Sequence, residues 1–406
     1  MLLLPISEAK LAKPNTSKLF NQRGFSLVEV MIAMAIGLFG VMVMTQVYVT
    51  AEHNKNTSTS SGDAMTEGMV AISLLQRHIR MGGYGISDGM LLGCNVVLRT
   101  GPPAVTLVAM APVTINHPRI PAGDANTDTL LVFYASTNGS PQGDVVTAQP
   151  DALQYSMRTI SSFTVNDFVL VAPQVRNCPT VFAPPAAPVT VPLTLTQITA
   201  INNPTISIMS NTGVVLPATV VPSTIILNTP NDFDGAQHNP TPAPSGHMVF
   251  NLGPTPPTIL AYAIRNGNLT QCDYATNDCS LTANTTNTAV WVPVANNIVS
   301  MRAQYGHYAA GATNTSITTY DQITPITACQ WIRTPTVRLA VVTRSAQRVE
   351  NATSSAPVWE GTTANPINLT GLPLATTDKW QNYRYKVHQS LITIRNIAWM
   401  GIVAGC

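Results

Sequence analysis

One carboxylate stands alone in a long apolar run. Residues 25–49 read FSLVEVMIAMAIGLFGVMVMTQVYV, and Glu29 is their only charged residue. A carboxylate on a membrane-crossing helix costs about 2.5–3.5 kcal/mol on insertion scales and normally has a partner. Two uses of Glu29 are open. It can pair with a cation at its own depth, or it can sit near a helix start, favoured by the dipole and hydrated at the interface. The second set of reactive groups is six cysteines: Cys94, Cys178, Cys272, Cys279, Cys329 and Cys406. None forms a CxxC pair, which argues against zinc ribbons and fingers. An even count downstream of an apolar export segment points to disulfides, with about 15 pairings open if all are bridged. Free buried cysteines remain an alternative for some. Cys272 and Cys279 enclose a short polar loop and are the disulfide candidates.

Other polar clusters are weaker. Asp273, Asn277 and Asp278 could ligate calcium, but the Gly and final Glu of an EF-hand loop are missing, so polar loop residues are the better reading. Asp232, Asp234 and His238 are read the same way. His78 on a helix is read as structural or exposed. HExxH, GxSxG, GxxxxGK[ST] and a GxGxxG after a strand are all absent, so nothing supports an enzyme, a metal or a cofactor.

These residues must be positioned by two different kinds of element. As a helix, residues 25–49 would extend roughly 37 Å, enough for a bilayer core of about 30 Å. Lys10, Lys13, Lys18 and Arg23 precede it, which keeps residues 1–24 in the cytoplasm and sends the rest outward. Without residues 1–24 the chain has 17 basic and 18 acidic residues and no basic run, so nucleic acid is not a partner. Charged residues are only 10% of the chain, which suits an exported β-rich protein with a Thr, Asn, Ser and Gln surface.

Three readings compete for the apolar run. A secretory signal peptide would be shorter and followed by a small-residue cleavage site. A plain signal anchor explains everything but Glu29 and the residues just before the run. The third reading rests on Arg23-Gly24-Phe25-Ser26-Leu27-Val28-Glu29, which closely resembles the type IV prepilin signature. That resemblance implies cleavage between Gly24 and Phe25 by a membrane-embedded prepilin peptidase and N-methylation of Phe25 by the same peptidase/methyltransferase. It also implies pairing of Glu29 with the Phe25 amine of a neighbouring subunit during assembly. Leu75-Gln76-Arg77-His78-Ile79-Arg80-Met81-Gly82-Gly83-Tyr84-Gly85 resembles the matching segment of PilW minor pilins. Islands around 297–306, 337–345 and 380–395 follow in the order those proteins show.

The expected fold class is α+β: a long N-terminal α-helix, transmembrane in its first half and amphipathic in its second, packed on a β-rich pilin-like head. The expected divisions are a removed leader (1–24), a transmembrane and assembly helix (25–50), a periplasmic amphipathic helix (51–83) and the head (84–406). Polar residues 51–62 predict a weakening or break, with Asp63 capping a second helical stretch. Met69, Ile72, Leu75 and Ile79 form its apolar stripe, and Gly82-Gly83 ends it. Strands are expected at 129–135, 168–172, 259–264, 298–305, 336–343 and 385–394. Arg265-Asn266-Gly267-Asn268 is a hairpin turn. Pro-rich residues 173–192 and 228–258 read as loops or extended connectors, and 189–227 as an extra small sheet, within an insertion at about 173–258.

The resemblance implies a minor pilin that helps initiate a type IV pilus, with a possible place at the tip. Its implied partners are other minor pilins and the major pilin. The implied location is the inner membrane as a single-pass protein with a periplasmic head, then the cell-surface pilus. A GspJ-like pseudopilin of a type II secretion system shares the same motifs, and a tip adhesin is the reading from a different class.

Overall fold

The structure is a computed structural model. It describes residues 26–99, 105–107, 109–137, 139, 142–151, 154–172, 193–202, 205–208, 247–349 and 353–406. Gly24, Phe25, Cys178, the Pro-rich stretch 173–192 and the Asp232, Asp234 and His238 group lie outside the described residues. The chain forms two compact units, divided between Asn56 and Thr57.

One helix, α1 (Leu27–Met81), contributes to both units. The break expected at 51–62 does not occur. Asn, Thr and Ser each cost only about 0.5 kcal/mol relative to Ala, and extension of an existing helix adds a hydrogen bond per residue. Asp63 therefore lies exposed inside the helix and caps nothing.

The second unit holds three sheets. The largest contains β1 (Val96–Arg99), β2 (Val105–Leu107), β5 (Asp144–Asp151), β6 (Gln154–Met157), β7 (Phe168–Ala172), β8 (Leu193–Asn202), β9 (Thr205–Ile208) and β10 (Met248–Gly253). Its order is β2-β1-β8-β7-β10-β5-β6-β9, and a further β8–β9 pairing closes six of the strands into a ring. The second sheet contains β3 (Val113–Ile115), β4 (Leu130–Tyr134), β11 (Thr258–Arg265), β12 (Asn268–Asp273) and β13 (Val292–Ala295), in the order β13-β12-β11-β4-β3. The third contains β14 (Ile298–His307), β15 (Thr319–Asp321), β16 (Thr336–Arg344) and β17 (Tyr385–Thr393), in the order β15-β14-β16-β17. Two short helices, α2 (Ala328–Ile332) and α3 (Arg395–Ala398), follow β15 and β17.

The described residues of the Val/Ile/Thr segment expected at 189–227 do not make a separate small sheet. Its strands β8 and β9 join the largest one, β8 pairing with β7 and, in parallel, with β1. The second Pro-rich stretch is also not all loop. β10 lies inside it, paired with β7 along five residues, and Pro254, Pro256 and Pro257 are confined to the connection into β11.

The second sheet sits between two cores. Along β4, Leu131 and Phe133 enter the core of the largest sheet, while Leu130, Val132 and Tyr134 enter the core shared with α1. β11 repeats the division, with Ile259 and Ala261 on one side and Leu260 and Tyr262 on the other. Side chains alternate faces along a strand, so a strand buried on both faces reads as an unbroken apolar run. The β11–β12 turn has Asn266 and Gly267 at φ 51° and 71°, the left-handed pair a two-residue hairpin needs.

Candidate assembly site

In the first unit, no described residue of that unit covers the apolar residues of α1. Sixteen large apolar side chains between Leu27 and Val49 are exposed. Burying a side chain of this size is worth about 1.5–3 kcal/mol, so the segment leaves roughly 20–50 kcal/mol unrealised in water. That exceeds the whole stability of an ordinary domain, about 5–15 kcal/mol. The segment therefore needs an apolar surrounding, and by length and composition it can cross a membrane. Glu29 lies in the first turn of α1 and has no ion-pair partner among the described residues. Chemically this is an acceptor for a cation, placed at the helix end where the dipole favours negative charge.

The part of α1 in the second unit behaves differently. Its buried positions are Ser60, Ala64, Gly68, Ala71, Leu75 and Ile79, at steps of three and four. Ile72 is half-buried, and Met69, expected in the stripe, is exposed. Small residues mark where the helix comes closest to the sheet. A methyl group added at Gly68 would overlap the imidazole of His388 on β17. Reading the stripe from large apolar residues alone missed these positions; small residues at steps of four and three were the available signal.

Polar contacts fix the same helix. Gln76 Nε2 donates to Ser390 Oγ at 2.5 Å, and the Asn296 N–H donates to Glu67 Oε2 at 3.1 Å. Asn396 Nδ2 donates to the Met81 and Gly82 carbonyls at 3.2 and 3.0 Å, satisfying acceptors at the helix end. Gly83, at φ 81°, then turns the chain. His78 is structural. It packs edge-on to Tyr134 and Tyr262, with ring centroids 5.9 and 6.0 Å away, and its Nδ1 lies 3.3 Å from Tyr134 Oη. Burial, then the Arg77 charge, pushes its pKa down. His388 is pushed down by burial and then by Lys386.

Cys272 and Cys279 are joined, with Cα atoms 6.0 Å apart. The acidic side chains of this loop serve its own backbone. Asp273 Oδ1 accepts from the Ala275 N–H at 3.0 Å, and Asp278 Oδ1 accepts from the Ser280 N–H at 2.9 Å. A second bridge joins Cys329 on α2 to Cys406 across 77 positions. The even cysteine count was its only sequence signal, because pairing over that span depends on the fold.

Comparison with known families adds two matches. Residues 261–396 match PilW, the type IV pilus-assembly protein W family, and residues 19–45 match the prokaryotic N-terminal methylation motif. No curated protein and no solved structure matches the chain. The first match runs from within β11 through β17, and the second covers the apolar start of α1 with Glu29. Carried on one chain, in the order helix then β-rich head, the two matches support a type IV pilin-like protein of the PilW type.

Proposed function

We propose that this pilus-associated minor pilin helps start filament assembly and enters the filament through Glu29. In this reading, prepilin peptidase cuts between Gly24 and Phe25, and Phe25 is N-methylated. The protein waits as a single-pass inner-membrane protein with its head in the periplasm. Glu29 then pairs with the Phe25 amine of a neighbouring pilin. The observation that carries the reading is a carboxylate in the first turn of an apolar helix segment, with no ion-pair partner and no cover from its own unit among the described residues. An unpaired charge is expensive in hydrocarbon, so a partner that neutralises it drives association there.

The test is Glu29→Ala. Removing the carboxylate makes the helix more apolar, so membrane insertion is expected to be as good or better, and cleavage after Gly24 is expected to continue. The processed protein should then stay in the membrane fraction, absent from sheared filaments, and fail to restore piliation to a deletion strain. Full restoration would sink the assembly role of Glu29. The pseudopilin reading shares these features and is separated by the deletion phenotype: loss of secretion with intact pili favours it.

A further inference from the structure

The strongest unassigned site is a cleft of about 520 Å³ between the turn after α1 and the C-terminal tail. Asp88, Ile332, Asn396, Trp399, Met400 and Val403 are among its lining residues. The tail is held on both sides. Met400, Val403 and Cys406 pack against the core shared with α1, Tyr308 Oη donates to the Gly401 carbonyl at 3.1 Å, and Cys406 is bridged to Cys329. Trp399 borders the cleft and is 86% exposed. This indole is therefore displayed on a fixed backbone, the situation in which an aromatic side chain binds with little loss of freedom.

Asp88 supplies the second half of the chemistry. One carboxylate oxygen accepts from the Met90 N–H at 2.7 Å, and among the described residues no side chain forms an ion pair with it. Burial without a cation pushes its pKa up. No Lys, Arg or His is among the described residues lining the cleft. A cleft that holds one carboxylate, one displayed indole and no cation is complementary to a flat, positively charged group. A guanidinium satisfies both features together, because it pairs with carboxylates through two N–H groups and stacks on aromatic faces. An ammonium is a poorer fit, since it offers no plane to stack. Apolar occupants would leave the carboxylate unpaired.

We propose that this cleft is a docking site for an arginine side chain carried by a partner protein. The inference rests on the chemistry of the cleft and not on the pilus reading. Trp399, Met400 and Val403 also lie beyond the residues that match the PilW family, so the indole wall belongs to this chain rather than to the matched segment.

The test uses the full chain in detergent micelles, with tryptophan emission as the readout and Trp399→Phe to isolate the signal of Trp399. The probes are N-acetylarginine amide, its uncharged isostere N-acetylcitrulline amide, and methyl glucoside. The arginine probe is expected to change the Trp399 emission saturably, with the citrulline probe at least about tenfold weaker and methyl glucoside without effect. Asp88→Asn keeps the acceptor for the Met90 N–H and is expected to weaken the arginine probe at least about tenfold, with near-ultraviolet circular dichroism unchanged. Trp399→Ala, at an exposed position, should abolish saturable binding read by calorimetry. Equal affinity for arginine and citrulline probes, undiminished binding in Asp88→Asn, preference for the glucoside, or no saturable binding would each overturn the proposal.

Discussion

The two parts of α1 share one secondary structure and differ in everything around it. From Leu27 to Val49 the large apolar side chains are exposed, whereas from Ser60 to Ile79 the helix buries one residue every three or four. Apolar content does not explain the contrast, because the exposed part is the more apolar of the two. Periodicity does. An unbroken apolar surface suits a surrounding that is apolar on all sides, while a narrow stripe suits a single protein face. Glycine has opposite meanings in the two parts: Cβ atoms at Gly37 and Gly40 would meet nothing within 4 Å, but one at Gly68 would overlap His388.

The most severe way to break this contrast is to truncate matched leucines. Leu75 is fully buried, and Leu75→Ala is expected to cost about 2–5 kcal/mol of head stability. Leu38→Ala, at an exposed position, should leave the head unfolding transition within about 0.5 kcal/mol of the parent. Thermal unfolding in micelles, followed by near-ultraviolet circular dichroism, reads both. Equal losses would mean that the first part of α1 also packs on the head.

The disulfides come next. On loop length alone, the chain-entropy relation gives about 4.5 kcal/mol for Cys329–Cys406 and about 2.5 kcal/mol for Cys272–Cys279. The paired serine variants should lower the midpoint of denaturant unfolding in that order, and the reverse order would show that local packing, not loop length, governs these bridges.

Gly68→Ala is expected to destabilise the head by about 1–3 kcal/mol through overlap with the His388 ring. Adding His388→Ala should recover part of that loss. Gly37→Ala and Gly40→Ala should change nothing in the head. Without rescue in the double variant, the His388 contact is not what Gly68 serves.

The smallest effect is a pH dependence confined to the head. His78 and His388 have lower pKa values folded than the unfolded value of about 6.5. The unfolded chain then binds more protons in the window just below 6.5, so stability is full above it and falls as pH drops through it. Replacing both histidines with glutamine should flatten the melting temperature between pH 5 and 7. An unchanged slope would assign the dependence to other groups.

Local patterns already carry much of this protein. Six strands of the second unit are legible locally: β4, β7 and β11 as apolar runs that burial on both faces leaves almost uninterrupted, and β14, β16 and β17 as β-branched and aromatic residues with polar ones between them. The Asn266-Gly267 turn is legible because few residues accept two successive positive φ values. Glu29 stands out against its apolar run before any fold is known, as does the Gly24 and Phe25 junction. What sequence reading misplaced depends on distant partners. The polar stretch 51–62 stays helical because propensity differences of a few tenths of a kcal/mol per residue are too small to stop a helix that continues on both sides. β8 and β9 join the largest sheet because strand pairing is chosen among all available edges, which no local window contains. Gly68 is a contact residue only because His388, more than three hundred positions later, occupies the space beside it. Separation along the chain also hides the Cys329–Cys406 bridge, across 77 positions, and the Asp88–Trp399 cleft. A sequence sets which side chains exist and their local period, while their meeting across the chain is decided by packing.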